Sequence, residues 1–150
     1  MPQRRLADFD YSDPDVAFFV TIRAHPGKAP FTDARLAGQV VSSLEWLRAN
    51  RGVKIYAYCL MPDHLHLLIR LGDTGHELGQ IIGSLKSFTT KQCWKLGFRG
   101  ILWQDHFHDH VLRCNEDASS IATYILENPV RKGLVESAEL YEWSGTPDPM

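Results

Sequence analysis

Long apolar runs are missing from this 150-residue chain. No stretch approaches the ~20 consecutive apolar residues of a membrane span, and the opening MPQRRLADFDYSDPDVAFF has no apolar segment of the secretory kind. A non-membrane, cytoplasmic protein is expected. Cysteine is scarce: Cys59, Cys93 and Cys114 are odd in number and lack CxxC spacing. Neither a disulfide framework nor a thiolate zinc site is indicated, and the three thiols read as reduced structural residues. A basic excess is also missing, since 16 Lys and Arg face 18 Asp and Glu for a net charge of -2, where phosphate-binding proteins usually carry a basic footprint. Repeats, linkers and low-complexity segments are absent too. With 44% hydrophobic residues, the expectation is one domain over residues 1–150 around one core.

Charge is distributed more tellingly than it is summed. Asp8, Asp10, Asp13 and Asp15 crowd the beginning, while Leu78 to Gln104 holds Lys86, Lys91, Lys95 and Arg99 and no acid. Such a run is either a solvated helix face or a phosphate-tracking surface.

Periodicity gives the elements. AFFVTIRA (17–24) reads as a strand closed by Pro26-Gly27. Leu36, Val40, Leu44 and Leu47 recur at helical spacing over 33–50, with Thr32 as the expected N-cap and Gly52 as the stop. VKIYAYCLM (53–61) and HLHLLIR (64–70) read as a hairpin about Pro62-Asp63. Thr74 and Glu77 have capping-box spacing ahead of a long helix that carries Leu78, Ile81, Ile82, Leu85, Phe88 and Thr89 and ends near Gly97. WQDHFHDHVLR (103–113) is a fourth strand, and Asn115, Glu116 and Asp117 suit the start of a last helix running to Asn128, where Pro129 disfavours its continuation. The fold class is α+β: a ferredoxin-like antiparallel sheet, βαββαβ, with an added C-terminal helix. The last ten residues, with Gly145, Pro147 and Pro149, are expected to fray.

Two places carry candidate chemistry. On the third strand His64, His66 and Leu68 point one way, and Leu65, Leu67 and Ile69 point the other, beneath the helices. Two neutral imidazoles side by side can bind one divalent metal, with a third ligand coming from elsewhere; the plainer reading is a pair of hydrogen-bonded structural histidines. Downstream, Tyr124 and Asn128 lie one helical turn apart. There an amide could complete a hard-metal site, and a phenol could reach a phosphate held by the same metal; the plainer reading is an amphipathic core tyrosine and a helix-ending asparagine.

AYCLMPDHLHLLIR (57–70), ILWQDHFHDHVLR (101–113) and YILENPVRKGLV (124–135), in that order, resemble the REP-associated tyrosine transposases, within the single-tyrosine HUH transposase family. The likeness runs from Phe18 to Trp143. It implies a sheet carrying the metal ligands His64 and His66, a helix presenting Tyr124 as nucleophile, and Asn128 assisting the metal, Mg2+ or Mn2+. It further implies cleavage of single-stranded DNA beside a hairpin through a 5′-phosphotyrosine, with later rejoining by the released 3′-hydroxyl. Asp63 stands where the family pattern has asparagine. Relatives of this kind act as a homodimer that exchanges the tyrosine helix or as monomers in cis. Lys86, Lys91, Arg131 and Lys132 are the expected phosphate contacts.

Two other readings compete. A domesticated DNA-hairpin binder would keep the fold without strand transfer. His106, His108 and His110 resemble the histidine triad of nucleotide hydrolases, although Asp109 stands where that motif has a hydrophobic residue; the plainer reading there is a polar strand face.

Overall fold

Alternating apolar side chains in three segments build the centre of the protein, whose computed structural model describes residues 9–112 and 117–150. These segments are β1 (Ala17–Arg23), β2 (Lys54–Met61) and β3 (His64–Arg70). With β4 (His108–Val111) and β5 (Ser144–Gly145) they form one antiparallel sheet in the order β4-β1-β3-β2-β5. The first four strands have the ferredoxin-like order, as the sequence predicts.

Helices α1 (Ala34–Arg51) and α2 (Leu78–Lys95) cover one face. Phe18, Val20, Ile22, Leu65, Leu67 and Ile69 meet Val40, Leu44, Ile81 and Leu85 in the main core. Thr89 interrupts the apolar stripe of α2, but its hydroxyl donates to Leu85 O and accepts the Trp103 indole N–H, so both of these buried groups are paired. The other face carries α3 (Ala118–Leu126), with Ala122 and Ile125 against Ala57, Cys59, Met61 and Leu68. Among the described residues no helix is long and apolar enough to cross a membrane.

The β2–β3 turn is fixed from outside. Ala24 N donates to Asp63 O and Phe31 N to Pro62 O, so the segment after β1 grips both turn carbonyls. His64, the next residue, therefore starts its strand from an immobilised point.

Several boundaries differ from expectation. Asp33, not Thr32, caps α1 by accepting from Arg35 N, because Thr32 is used in the preceding 3-10 turn. The box at α2 is Glu77 with Gln80 rather than Thr74 with Glu77, and the helix ends at Lys95. The fourth strand shrinks to 108–111 plus a bridge from Trp103 to Ala24. Between them the Lys86 ammonium takes the carbonyls of Gln104 and His106, replacing a strand partner. The tyrosine helix is interrupted at Glu127, and α4 (Asn128–Arg131) follows with Pro129 in its first turn, where proline's missing N–H costs nothing. Asp117 caps α3; Asn115, Glu116 and Cys114 lie outside the described residues. Cys59 and Cys93 are buried free thiols.

The end of the chain does not fray. Tyr141 Oη donates to Leu60 O, Leu60 N to Trp143 O, and Asp148 accepts from Ile55 N and pairs with Arg48 at 2.6 Å. Residues 141–148 thus close the exposed edge of β2.

Candidate active site

Registry places the candidate residues before any side chain is considered. Arg23 pairs with His64 and Thr21 with His66 across β1–β3, while Met61 and Cys59 flank the same histidines from β2. Directly opposed residues share a face, so Thr21, Arg23, His64 and His66 all lie on the α3 side. Tyr124 at the end of α3 and Asn128 at the start of α4 then close over them. Arg23, His64, His66, Tyr124 and Asn128, together with Asp63 and Lys132, line a cleft of about 520 Å³.

Both imidazoles are held from behind. His64 Nδ1 lies 2.7 Å from Asp63 Oδ1 and His66 Nδ1 lies 3.0 Å from Thr21 Oγ1. A carboxylate only accepts, so Nδ1 of His64 donates and the neutral ring keeps its lone pair on Nε2. That Nε2 faces the Asn128 amide nitrogen, Nδ2, at 3.5 Å, an N–H donor to the lone pair. The rings are 4.6 Å apart, edge to face. Burial disfavours the charged form of each: the His64 pKa is lowered, against the pull of Asp63, and that of His66 is pushed down to about 3 by burial and then by its neighbour His64. Neutral imidazoles with backed Nδ1 atoms are the form that ligates metals.

Tyr124 is 52% exposed, so its phenol is accessible from the cleft. Phe19 meets its ring edge-on at 6.1 Å, and the Arg131 guanidinium sits 3.9 Å from the ring centroid. Arg131 also donates to Tyr124 O at 2.7 Å and to Asn128 Oδ1 at 3.4 Å. The expected phosphate contact is thus a brace joining the tyrosine to the amide.

The other expected cations divide. Lys132 lines the cleft. Lys91 is exposed on α2, away from the cleft, and Lys86 is committed to the Gln104 and His106 carbonyls, at 2.6 and 3.2 Å, with burial lowering its pKa. Arg23 joins the cleft although its place was not anticipated; the alternation in FFVTIR shows its face, but only the β1–β3 pairing shows what that face meets. Thr21 was missed for the same reason.

The residues fit a divalent cation. Among the described residues no three His, Cys, Asp or Glu converge as a metal site, so the third donor would be the Asn128 amide oxygen, which accepts from Arg131 here and would have to turn toward His64 Nε2 to join it. Two imidazoles and one amide leave positions open for phosphate oxygens.

Residues 26–128 match the family described as Transposase IS200 like, which is more than half of the chain. The chain belongs to this family. A Haemophilus influenzae protein carrying the name REP-associated tyrosine transposase is 27% identical, with 93% of each chain covered. A REP-associated tyrosine transposase of Escherichia coli K12 is 26% identical over 65% of this chain and 57% of its own length. Among solved structures, that of a REP-associated tyrosine transposase bound to a REP hairpin superposes with a TM-score of 0.78 at 21% identity, covering 96% of this chain and 82% of the other. At that identity the likeness speaks for the fold. As an IS200-like transposase the chain is an enzyme of the tyrosine transposase class, not a histidine-triad hydrolase. Only His108 and His110 of that triad lie on β4; His106 precedes it.

Proposed function

We propose that this IS200-like transposase cleaves and rejoins single-stranded DNA beside a hairpin, with Tyr124 as nucleophile and His64, His66 and Asn128 as the ligands of a divalent cation. The observation that carries this reading is the convergence of these four side chains in one cleft. The REP hairpin bound by the superposed structure supports a DNA hairpin as the substrate.

Mg2+ or Mn2+ held by the three ligands would polarise the phosphoryl oxygens and fix the scissile phosphate in place. Arg23 and Lys132 raise the local positive potential that draws phosphate in. Arg131, stacked on the Tyr124 ring and tied to its carbonyl, restricts the directions the phenol can take. The Tyr124 phenol gives up its proton to water as its oxygen forms a bond to phosphorus, the bond from phosphorus to the 3′ oxygen breaks, and that oxygen takes up a proton from water to leave as a 3′-hydroxyl. A later 3′-hydroxyl attacks the phosphotyrosine, displaces Tyr124 and restores a phosphodiester without ATP.

The test is covalent capture. Labelled hairpin DNA with a single-stranded flank, incubated with the protein and Mn2+ and run on a denaturing gel, should give a protein–DNA adduct that Tyr124→Phe abolishes. DNA that is retarded on a native gel yet never cut would identify a hairpin-binding protein instead.

A further inference from the structure

A chain of depressions leads out of the cleft around the end of the sheet where β1 stops and β3 begins. Arg23 and Asp63 border both the cleft and the next depression. His25, Pro26 and Gln104 continue that one into a third. Ile101, Trp103 and Gln104 then open the third into a groove of about 460 Å³ between α2 and the segment at 101–105.

This groove combines two properties. Its apolar surface is uncovered: Trp94 is 48% and Ile101 59% exposed, and the Trp94 indole N–H donates to Gly100 O at 2.8 Å, which fixes the ring beside the opening. Its wall carries cations: Lys86 and Lys91 line it, against Asp105 as the acid. A fixed, exposed indole beside lysine suits a ligand that offers a flat π-face and a negative backbone together, which is a nucleotide within a strand.

We propose that the groove at Trp94 and Ile101 is a nucleobase subsite for the DNA strand flanking the scissile phosphate, reached along the depressions at His25 and Gln104. The inference rests on DNA being the substrate, but not on Tyr124 being the nucleophile.

The experiment measures affinity in the Tyr124→Phe background, so that no strand is cut, using hairpins whose 5′ or 3′ flank grows one nucleotide at a time. Affinity should step up when one flank reaches the groove. An abasic nucleotide at that position, Trp94→Ala or Ile101→Glu should each remove the step, with a loss of about tenfold, the scale of one base–aromatic stack. Trp94→Phe should keep most of it, and a hairpin without flanks should bind all variants alike. Ile101 is exposed, so its variant reports even if Trp94→Ala impairs folding. The subsite is refuted if no flank length produces a step, or if the step survives both Ile101→Glu and the abasic nucleotide. A changed oligomeric state with the step intact would make the groove a protein contact and also refute it. Adduct formation with Tyr124 intact is read separately, so a Trp94-dependent step without any adduct would overturn the cleavage reading and leave the groove standing.

Discussion

Beneath α1 and α2 the sheet presents Phe18, Val20, Ile22, Leu65, Leu67 and Ile69, all fully buried, whereas its other face presents Phe19, Thr21, Arg23, His64 and His66 beneath the short helices α3 and α4. The same two strands supply both sets, because successive side chains alternate faces. Adjacent residues therefore do unrelated work: Leu65 and Leu67 hold the sheet to its helices, and His66 between them belongs to the site. This division says that neighbouring substitutions should fail in different ways.

The largest expected effect lies on the closed face. Leu67→Ala empties fully buried volume and should cost about 2 to 5 kcal/mol of stability. Denaturant melts check the loss, and cleavage per folded molecule should stay near the parent value. If activity per folded molecule fell along with stability, the two faces would not be separable.

Thr21→Val is the matching change on the open face. It keeps the side chain's shape but removes the hydroxyl 3.0 Å from His66 Nδ1, releasing the ring's orientation. Loss of such a backing contact should weaken Mn2+ binding about 10- to 100-fold with little change in melting temperature. Calorimetric titration with Mn2+ reads the first and thermal unfolding the second. Unaltered affinity would mean that Thr21 does not orient a ligand.

A third change tests whether the sheet edge matters to either face. Asp148 accepts hydrogen bonds from Arg48 and Ile55 N, and the Arg48 bond leads in holding its carboxyl below the ordinary range. Asp148→Asn should cost roughly 1 to 3 kcal/mol, the scale of hydrogen bonds to a charged group. The sign with pH follows from the lowered pKa: the contribution is complete above the unfolded-state carboxylate value and is lost as pH falls through the folded-state one. The parent should therefore lose stability more steeply in acid than the Asn variant. Parallel acid limbs would place the stabilisation elsewhere.

These residues also mark how far the sequence could be read. The His64–His66 pair was legible because alternation is a local property, and the Pro62-Asp63 turn announced the hairpin that sets its phase. Tyr124 and Asn128 were legible as one helical turn, and they remain on one cleft despite the break at Glu127. The closing segment was not legible, because Gly145, Pro147 and Asp148 have loop composition. What orders them is the open edge of β2 and an arginine 100 positions away. Arg131 was legible as a cation beside the tyrosine segment, but its place over the Tyr124 ring depends on side-chain geometry that spacing does not encode. The shortened fourth strand shows the same limit: Lys86 reads as a surface charge until the two carbonyls it holds are seen.

The smallest effect should come from the residue that tempts most. His108 lies opposite Thr21 on β4, as Thr21 lies opposite His66, so the three share one face in a row across the sheet. Neighbouring strands are about 4.8 Å apart, which sets His108 roughly 10 Å from His66 along that row. That is too far for both imidazoles to ligate one ion, and His108 does not line the cleft. His108→Ala should therefore lower cleavage by less than about tenfold, far less than Tyr124→Phe, as rates of adduct formation would show. If His108→Ala matched the tyrosine variant, the working part of the open face would extend across β1 to the sheet edge, and the cleft would be only half of the site.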